Sequence, residues 1–184
     1  MEHYYLDNSD NVYFISDPHF DHVNILEYCS RPFSSVEEMN HVILNNWKSR
    51  IKSEDRVFFL GDMAYGRDSR SPRWWLSQLP GKIIYLKGSH DHGIRPTSVG
   101  LNAEMVTDYI LLNLENKHKF ILVHDRFTLP KEFMHNKDYW IIHGHNHHEA
   151  PFIDRTNRQI CVCVEVTNYS PVSLNEILES INVA

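Results

Sequence analysis

Five stretches of this chain end in residues that bind metals or move protons. "VYFIS" runs into Asp17-Pro18-His19, "VFFL" into Gly61-Asp62, "KIIYLK" into Gly88-Ser89-His90-Asp91, "KFILV" into His124-Asp125, and "YWII" into His143-Gly144-His145-Asn146-His147. Taken singly these signals are weak, because a histidine after a strand is commonly a hydrogen-bonded structural residue and Gly-Asp is a common turn. Their joint occurrence is a stronger signal: of the 13 histidines, His19, His90, His124, His145 and His147 all stand at these junctions. Asp17, His19, Asp62, His124, His145 and His147 supply carboxylates and imidazoles without a thiolate, a donor set suited to Mn, Fe, Co, Ni or Zn rather than Cu(I) or an iron–sulfur cluster. The set exceeds the ligands that one tetrahedral zinc takes. Two ions sharing a bridging carboxylate would use them all, and ions about 3.5–4 Å apart clamp the attacking and leaving oxygens of a phosphoryl displacement.

For these residues to act together, the elements carrying them must end in one place. Each apolar run is continuous rather than alternating, the pattern of a strand buried on both faces. In α/β sheets the C-terminal strand ends converge on the ligand crevice. Between the first two runs, Ser35 and Glu38 form a candidate capping box, and Val36, Met39, Ile43, Trp47 and Ile51 trace one helical stripe. A second helix is expected after Ser71, with Pro72 in its first turn and Pro80-Gly81 as its stop. Trp74 and Trp75 point about 100° apart on it, so one is expected in the core and the other in a partly wet groove. "YILLNLENKHKFILVH" reads as a hairpin turning at 115–117, "CVCVEV" as a strand, and "SPVSLNEILESI" as a helix capped by Ser173 with Glu176 in the capping-box position. The alternation predicts an α/β chain with helices packed outside a layered β core.

The 184 residues suit a single domain, 1–184, with 42% hydrophobic and 23% charged residues, a soluble globular profile. No apolar run approaches a membrane span. The N-terminal "MEHYYLDNSDN" is acidic and polar where a signal peptide would be basic and then apolar, which points to the cytoplasm. Cys161 and Cys163 lack partner cysteines and read as buried free thiols. A net charge of −6, with scattered Lys and Arg, disfavours duplex nucleic acid as a substrate.

In order and context, "DPH", "GD", "GSHD", "H" and "GHNH" resemble the motifs of the calcineurin-like metallophosphoesterases: D-x-H, G-D, G-N-H-[DE], H and G-H-x-H. The resemblance spans residues 12–147 and is nearest to the small, single-domain bacterial and phage members, through "HFDHVNI" and the tail "NYSPVSLNEI". It implies a four-layer α/β sandwich of two packed mixed sheets flanked by helices. It also implies two divalent transition metals, with manganese foremost. By position, Asp17, His19 and His147 would hold the first ion, Asp62 would bridge, and His124 and His145 would hold the second, with Ser89 facing it. A bridging hydroxide would attack phosphorus, with His90 beside the leaving group as general acid or transition-state stabiliser.

Two departures stand out. Ser89 replaces the family's asparagine, a carboxamide ligand, and "GDMAYGRD" replaces the G-D-x-V-D-R-G of protein Ser/Thr phosphatases. The leading reading is therefore a phosphoesterase acting on a small phosphorylated substrate, a phosphodiester such as a nucleotide or cyclic nucleotide. Its rivals are a ligand-sequestering protein whose second metal site is impaired by Ser89, and a nuclease acting on single strands. His22 and Asn24 are close enough to the first motif to line a pocket, and Arg31 and Arg67 are candidate phosphate grips, although a surface salt bridge is the commoner fate of an arginine. His92, His143 and His148 are assigned supporting roles, and His3, His41, His118 and His135 ordinary surface or packing roles.

Overall fold

A strand buried on both faces needs a packing layer on each side. The computed structural model describes residues 2–7, 10–91, 94, 102–106, 109–115, 118–134 and 136–182. His92, His135 and positions 116–117 of the expected hairpin turn lie outside them. In chain order the strands are β1 (Glu2–Leu6), β2 (Val12–Ile15), β3 (Arg56–Phe59), β4 (Lys82–Leu86), β5 (Ala103–Val106), β6 (Ile110–Leu114), β7 (Lys119–Val123), β8 (Trp140–His143), β9 (Ile153–Asp154), β10 (Gln159–Cys161) and β11 (Val172–Ser173). The helices are α1 (Ile25–Tyr28), α2 (Val36–Arg50), α3 (Pro72–Leu76), α4 (Lys131–Met134) and α5 (Leu174–Asn182).

One sheet has the order β11-β2-β3-β4-β5, parallel except for β11, and the other has the order β1-β6-β7-β8-β10-β9. In the second sheet β6 and β7 form the expected antiparallel pair, and β7, β8 and β10 run parallel. Side chains alternate between layers with period two. Phe14, Phe58, Ile84 and Leu86 of the first sheet meet Leu112, Phe120, Leu122 and Ile142 of the second in a central core. Ile15, Val57, Phe59, Ile83 and Tyr85 point the other way, onto Met39, Ile43, Trp47 and Ile51 of the α2 stripe and Trp75 and Leu76 of α3. Leu111, Ile121, Val123 and Ile141 face Phe133 and Met134 on the remaining side. The protein is thus an α/β sandwich of two mixed sheets flanked by helices. Its layers are unequal: α4 is a single turn, while α2 spans 15 residues.

Local chemistry sets the helix ends. Ser35 Oγ accepts from the Glu38 amide at 3.1 Å, while the Glu38 carboxylate turns to the Ser34 amide at 2.7 Å, so only half of the capping box forms. At α3, Ser71 Oγ accepts from the Trp74 amide, Trp75 is buried and Trp74 is 40% exposed, the division expected of adjacent tryptophans. At α5 the box is complete: the Ser173 amide donates to Glu176 Oε2 at 2.7 Å and the Glu176 amide to Ser173 Oγ at 3.2 Å.

The expected "CVCVEV" strand stops early. After Cys161 the chain leaves its sheet and crosses to the end of β2, where the Ser16 amide donates to the Val162 carbonyl at 2.9 Å and the Val164 amide to the Ser16 carbonyl at 3.1 Å. That crossing brings Cys163 and Glu165 beside the first motif. Cys161 and Cys163 are free and buried, as expected, and so is Cys29. No helix among the described residues is long and apolar enough to cross a membrane.

Candidate metal centre

The apolar runs are β2, β3, β4, β7 and β8, and their C-terminal ends meet. The Asp17 amide donates to the Gly61 carbonyl at 3.1 Å, the Gly144 amide to the His124 carbonyl at 2.9 Å, and the His145 amide crosses between sheets to Asp17 Oδ2 at 2.9 Å. Glycine permits this approach: a Cβ on Gly88 would stand 2.2 Å from Asp62 Oδ1, and one on Gly144 would stand 2.1 Å from Ser16 Oγ. Beyond the strand ends the backbone enters the left-handed region at non-glycine residues. Asp17 (φ 59°), His19 (49°), Asp62 (58°), His145 (67°) and His147 (47°) all adopt it, at a cost of about 1 kcal/mol each that the surrounding bonds must offset. Conformations of this kind cluster at functional sites.

Among the described residues three groups of potential ligands result, of which Cys29, His147 and Glu165 form one and the strand-end motifs supply the other two triads. Asp17, His19 and His147 bring one atom each within 4.8 Å of one another, and so do Asp62, His124 and His145. Asp62 lies between them, with Oδ2 3.3 Å from His124 Nε2 and 3.7 Å from His19 Nε2. Several inward-facing atoms lack a hydrogen-bond partner despite burial: Asp17 Oδ1, His19 Nε2 and His124 Nε2. A buried polar atom without a partner costs about 1–3 kcal/mol. Unpartnered carboxylate and imidazole atoms converging on one space are what divalent transition metals would satisfy, and the donor set fits them.

The other face of Asp17, Asp62, His124 and His147 is fixed, whereas both ring nitrogens of His19 lack a hydrogen-bond partner. Asp17 Oδ2 receives the His145 amide and the Cys163 thiol, at 2.9 and 3.3 Å, which leaves Oδ1 free to face inward. His124 Nδ1 bonds the Leu60 carbonyl at 2.7 Å and His147 Nδ1 bonds Glu165 Oε1 at 2.9 Å, so each presents Nε2 to the site. Asp62 accepts the His90 amide on Oδ1 at 2.7 Å and the Ser89 hydroxyl on Oδ2 at 3.0 Å. Ser89 thus contacts the Asp62 carboxylate. Asp91, read from the sequence among the residues that bind metals or move protons, instead accepts the amides of Asp62 and Gly88 on one oxygen, at 2.9 and 2.8 Å, and clamps two motif loops together.

Electrostatics tell the same story. Burial alone would raise Asp17, yet His124, His19 and His147 hold its carboxyl well below the usual range. Burial would lower His124, but the charge of Asp17 and the adjacent Asp62 carboxylate push it up to about 9. His147, likewise opposed by burial, is pushed up to about 11 by contacts with Cys29 and Glu165 and the charge of Asp17. The carboxylates form a negative well that draws positive charge.

A cavity of about 590 Å³ opens over this cluster. His90 is exposed on its wall, its ring 5.4 Å from that of His19, and His22, Asn24 and His148 line it too. Burial, then the charge of His19, lowers His22 to about 4. Arg67 is exposed and lines a neighbouring cavity that shares His22, Asn24 and Tyr65 with the first, rather than the space over the triads. Arg31 departs most from expectation. Neither a phosphate grip nor a surface ion pair, it is buried, donating to the carbonyls of Pro18 and Asp17 at 2.7 and 2.8 Å and to Glu165 Oε1 at 2.7 Å. His143 is also buried, with Nδ1 against the Gly144 carbonyl, and Arg126 braces the last motif through Asn146 Oδ1 at 2.7 Å.

No family model matches the chain. It is 39% identical, over 175 residues, to the uncharacterized protein MJ1445 of Methanocaldococcus jannaschii, covering 92% of this chain and 90% of that one. The chain belongs to the family of that archaeal protein. The chain is also similar over a shorter stretch to the Gene 66 protein of Mycobacterium phage L5, 30% identical over 83 residues, 44% of this chain and 40% of the phage protein. A protein of unknown function from Aquifex aeolicus, AQ665, shares the fold, with a TM-score of 0.72 and 24% identity over 94% of this chain and all of that one.

Proposed function

We propose that this protein is a two-metal phosphoesterase with the calcineurin-like fold that hydrolyses a small phosphodiester. The position of Asp62 Oδ2, facing His124 of one triad and His19 of the other at 3.3 and 3.7 Å, carries the reading. Asp17, His19 and His147 would hold one divalent ion and His124 and His145 another, with Asp62 serving both. Manganese leads, and Fe, Co, Ni or Zn suit the same donors. Such a pair acidifies water and neutralises charge developing on phosphoryl oxygens.

The remaining work falls to the protein's own groups. Glu165, the Leu60 carbonyl and Asp91 hold the ligands in orientation, and outer partners of this kind are worth about 10–100-fold in metal affinity. His90 reaches the cavity from the loop that also bonds Asp62, a position suited to giving a proton to the leaving oxygen. Burial, the largest influence on it, lowers its pKa, which makes its protonated form a stronger acid. Among the described residues no Lys or Arg lines the cavity, which favours a monoanionic diester over a dianionic monoester. Three free cysteines suit the cytoplasm, where thiols stay reduced.

Protein purified without chelator should hydrolyse bis(4-nitrophenyl) phosphate faster than 4-nitrophenyl phosphate. Chelation should abolish this and manganese restore it. Full activity after exhaustive chelation would rule the reading out. Binding of metal and diester without turnover would favour the sequestering protein.

A further inference from the structure

The cavity has an aromatic side that the phosphoesterase chemistry does not use. Tyr28 and Tyr65 line it and are 66% and 43% exposed. Each is held by imidazole. The Tyr65 ring lies 4.9 Å from His22 and 4.6 Å from His90, both at 66°, and Tyr28 lies 6.2 Å from His22 at 75°. Tyr65 therefore packs against two imidazole rings while 43% exposed and lining the cavity, which lowers the ordering cost a stacking ligand would meet. The polar groups of the same cavity include Asn24, Asn146 and Glu149, which offer both donors and acceptors. Exposed aromatic rings together with amide and carboxylate groups in one cavity match the needs of a nucleobase: a π-face to stack and an edge to hydrogen-bond. The absence of Lys and Arg from the described lining argues against a long strand, whose backbone needs a cationic track.

We infer that the Tyr28–His22–Tyr65 wall is a base-stacking subsite, and that the substrate is a phosphodiester carrying a single nucleoside. This rests on the phosphoesterase reading for its reaction, but the base-binding part can be measured without turnover.

Two readouts keep the claims separate. In chelated protein, saturation-transfer NMR should show the base protons of adenosine 5′-monophosphate in contact, and ribose 5-phosphate should not compete. Tyr65→Ala should abolish the contact and Tyr65→Phe retain it. In the manganese-loaded enzyme, thymidine 5′-(4-nitrophenyl phosphate) should exceed methyl 4-nitrophenyl phosphate in kcat/KM by about tenfold, the scale of one base–aromatic stack. Tyr65→Ala should collapse that ratio. Base binding without hydrolysis of any diester would sink the phosphoesterase reading and leave the stacking wall standing. Equal kcat/KM for the two diesters, or base contacts indifferent to Tyr65→Ala, would overturn the stacking subsite. A clear preference for oligonucleotides over the single-nucleoside diester would overturn the single-nucleoside assignment.

Discussion

Ser89 Oγ donates to Asp62 Oδ2 at 3.0 Å, the same oxygen that faces His124 Nε2 at 3.3 Å. The serine therefore acts on the Asp62 carboxylate, and its hydroxyl is shorter than the carboxamide that the proposed metallophosphoesterase reading expects at this position. On the two-metal proposal, Ser89→Asn should add a neutral oxygen and tighten the metal held by His124 and His145 by about tenfold, equivalent to about 1.4 kcal/mol. Turnover should rise more at limiting than at saturating manganese. Calorimetric titration beside rate measurements checks this, and unchanged affinity and rate would remove Ser89 from the second site.

Asp62→Asn removes the one charge that both triads share. It should lower metal content at both sites and reduce turnover further than His19→Ala, which strips a ligand from one. Metal counting on the two variants decides it: equal turnover loss with unchanged metal content in both would contradict the bridging role.

How much of this was legible beforehand follows from the range of the interactions. The strand-end motifs could be read because continuous apolar runs mark doubly buried strands, and parallel strands bring their ends together. The α2 stripe and the Ser71 and Ser173 caps are local patterns of three or four residues and were readable for that reason. Arg31 was not, because its partner Glu165 lies 134 residues away and nothing near Arg31 marks it as buried. Glu165 was hidden by the same crossover that ends the "CVCVEV" strand. The short edge strands β9 and β11, of two residues each, carry too little pattern to announce themselves.

Glu165 offers the test of that hidden link. Glu165→Gln leaves the Arg31 guanidinium buried without its carboxylate and His147 without a strong acceptor. Breaking a buried pair from one side costs about 3–5 kcal/mol, and losing the outer partner of a metal-ligating histidine costs about 10–100-fold in affinity. Denaturant melts and manganese titrations should register both, whereas wild-type stability and affinity would show that the pair is ornamental.

The metal-free protein should have a stability maximum near pH 6.5. His124, raised to about 9, and His147, raised to about 11, hold protons that the unfolded chain releases near 6.5. Their contribution is complete below that value and is lost as pH rises through about 9 and then about 11. His22 and His143, both lowered to about 4 chiefly by burial, work in the opposite sense, with stability present above about 6.5 and lost as pH falls toward 4. Thermal melts of chelated protein across this range check it. A melting temperature that climbs from about pH 6.5 to about pH 9 would contradict protonated imidazoles beside Asp17 and Asp62.

Metal content and turnover of bis(4-nitrophenyl) phosphate, measured on the same sample as manganese is added to chelated protein, test the central claim most directly. Turnover should stay near background through the first bound equivalent, appear with the second, and follow its occupancy. Turnover with no metal bound, or two bound equivalents with no turnover, would contradict a two-metal phosphoesterase built around Asp62.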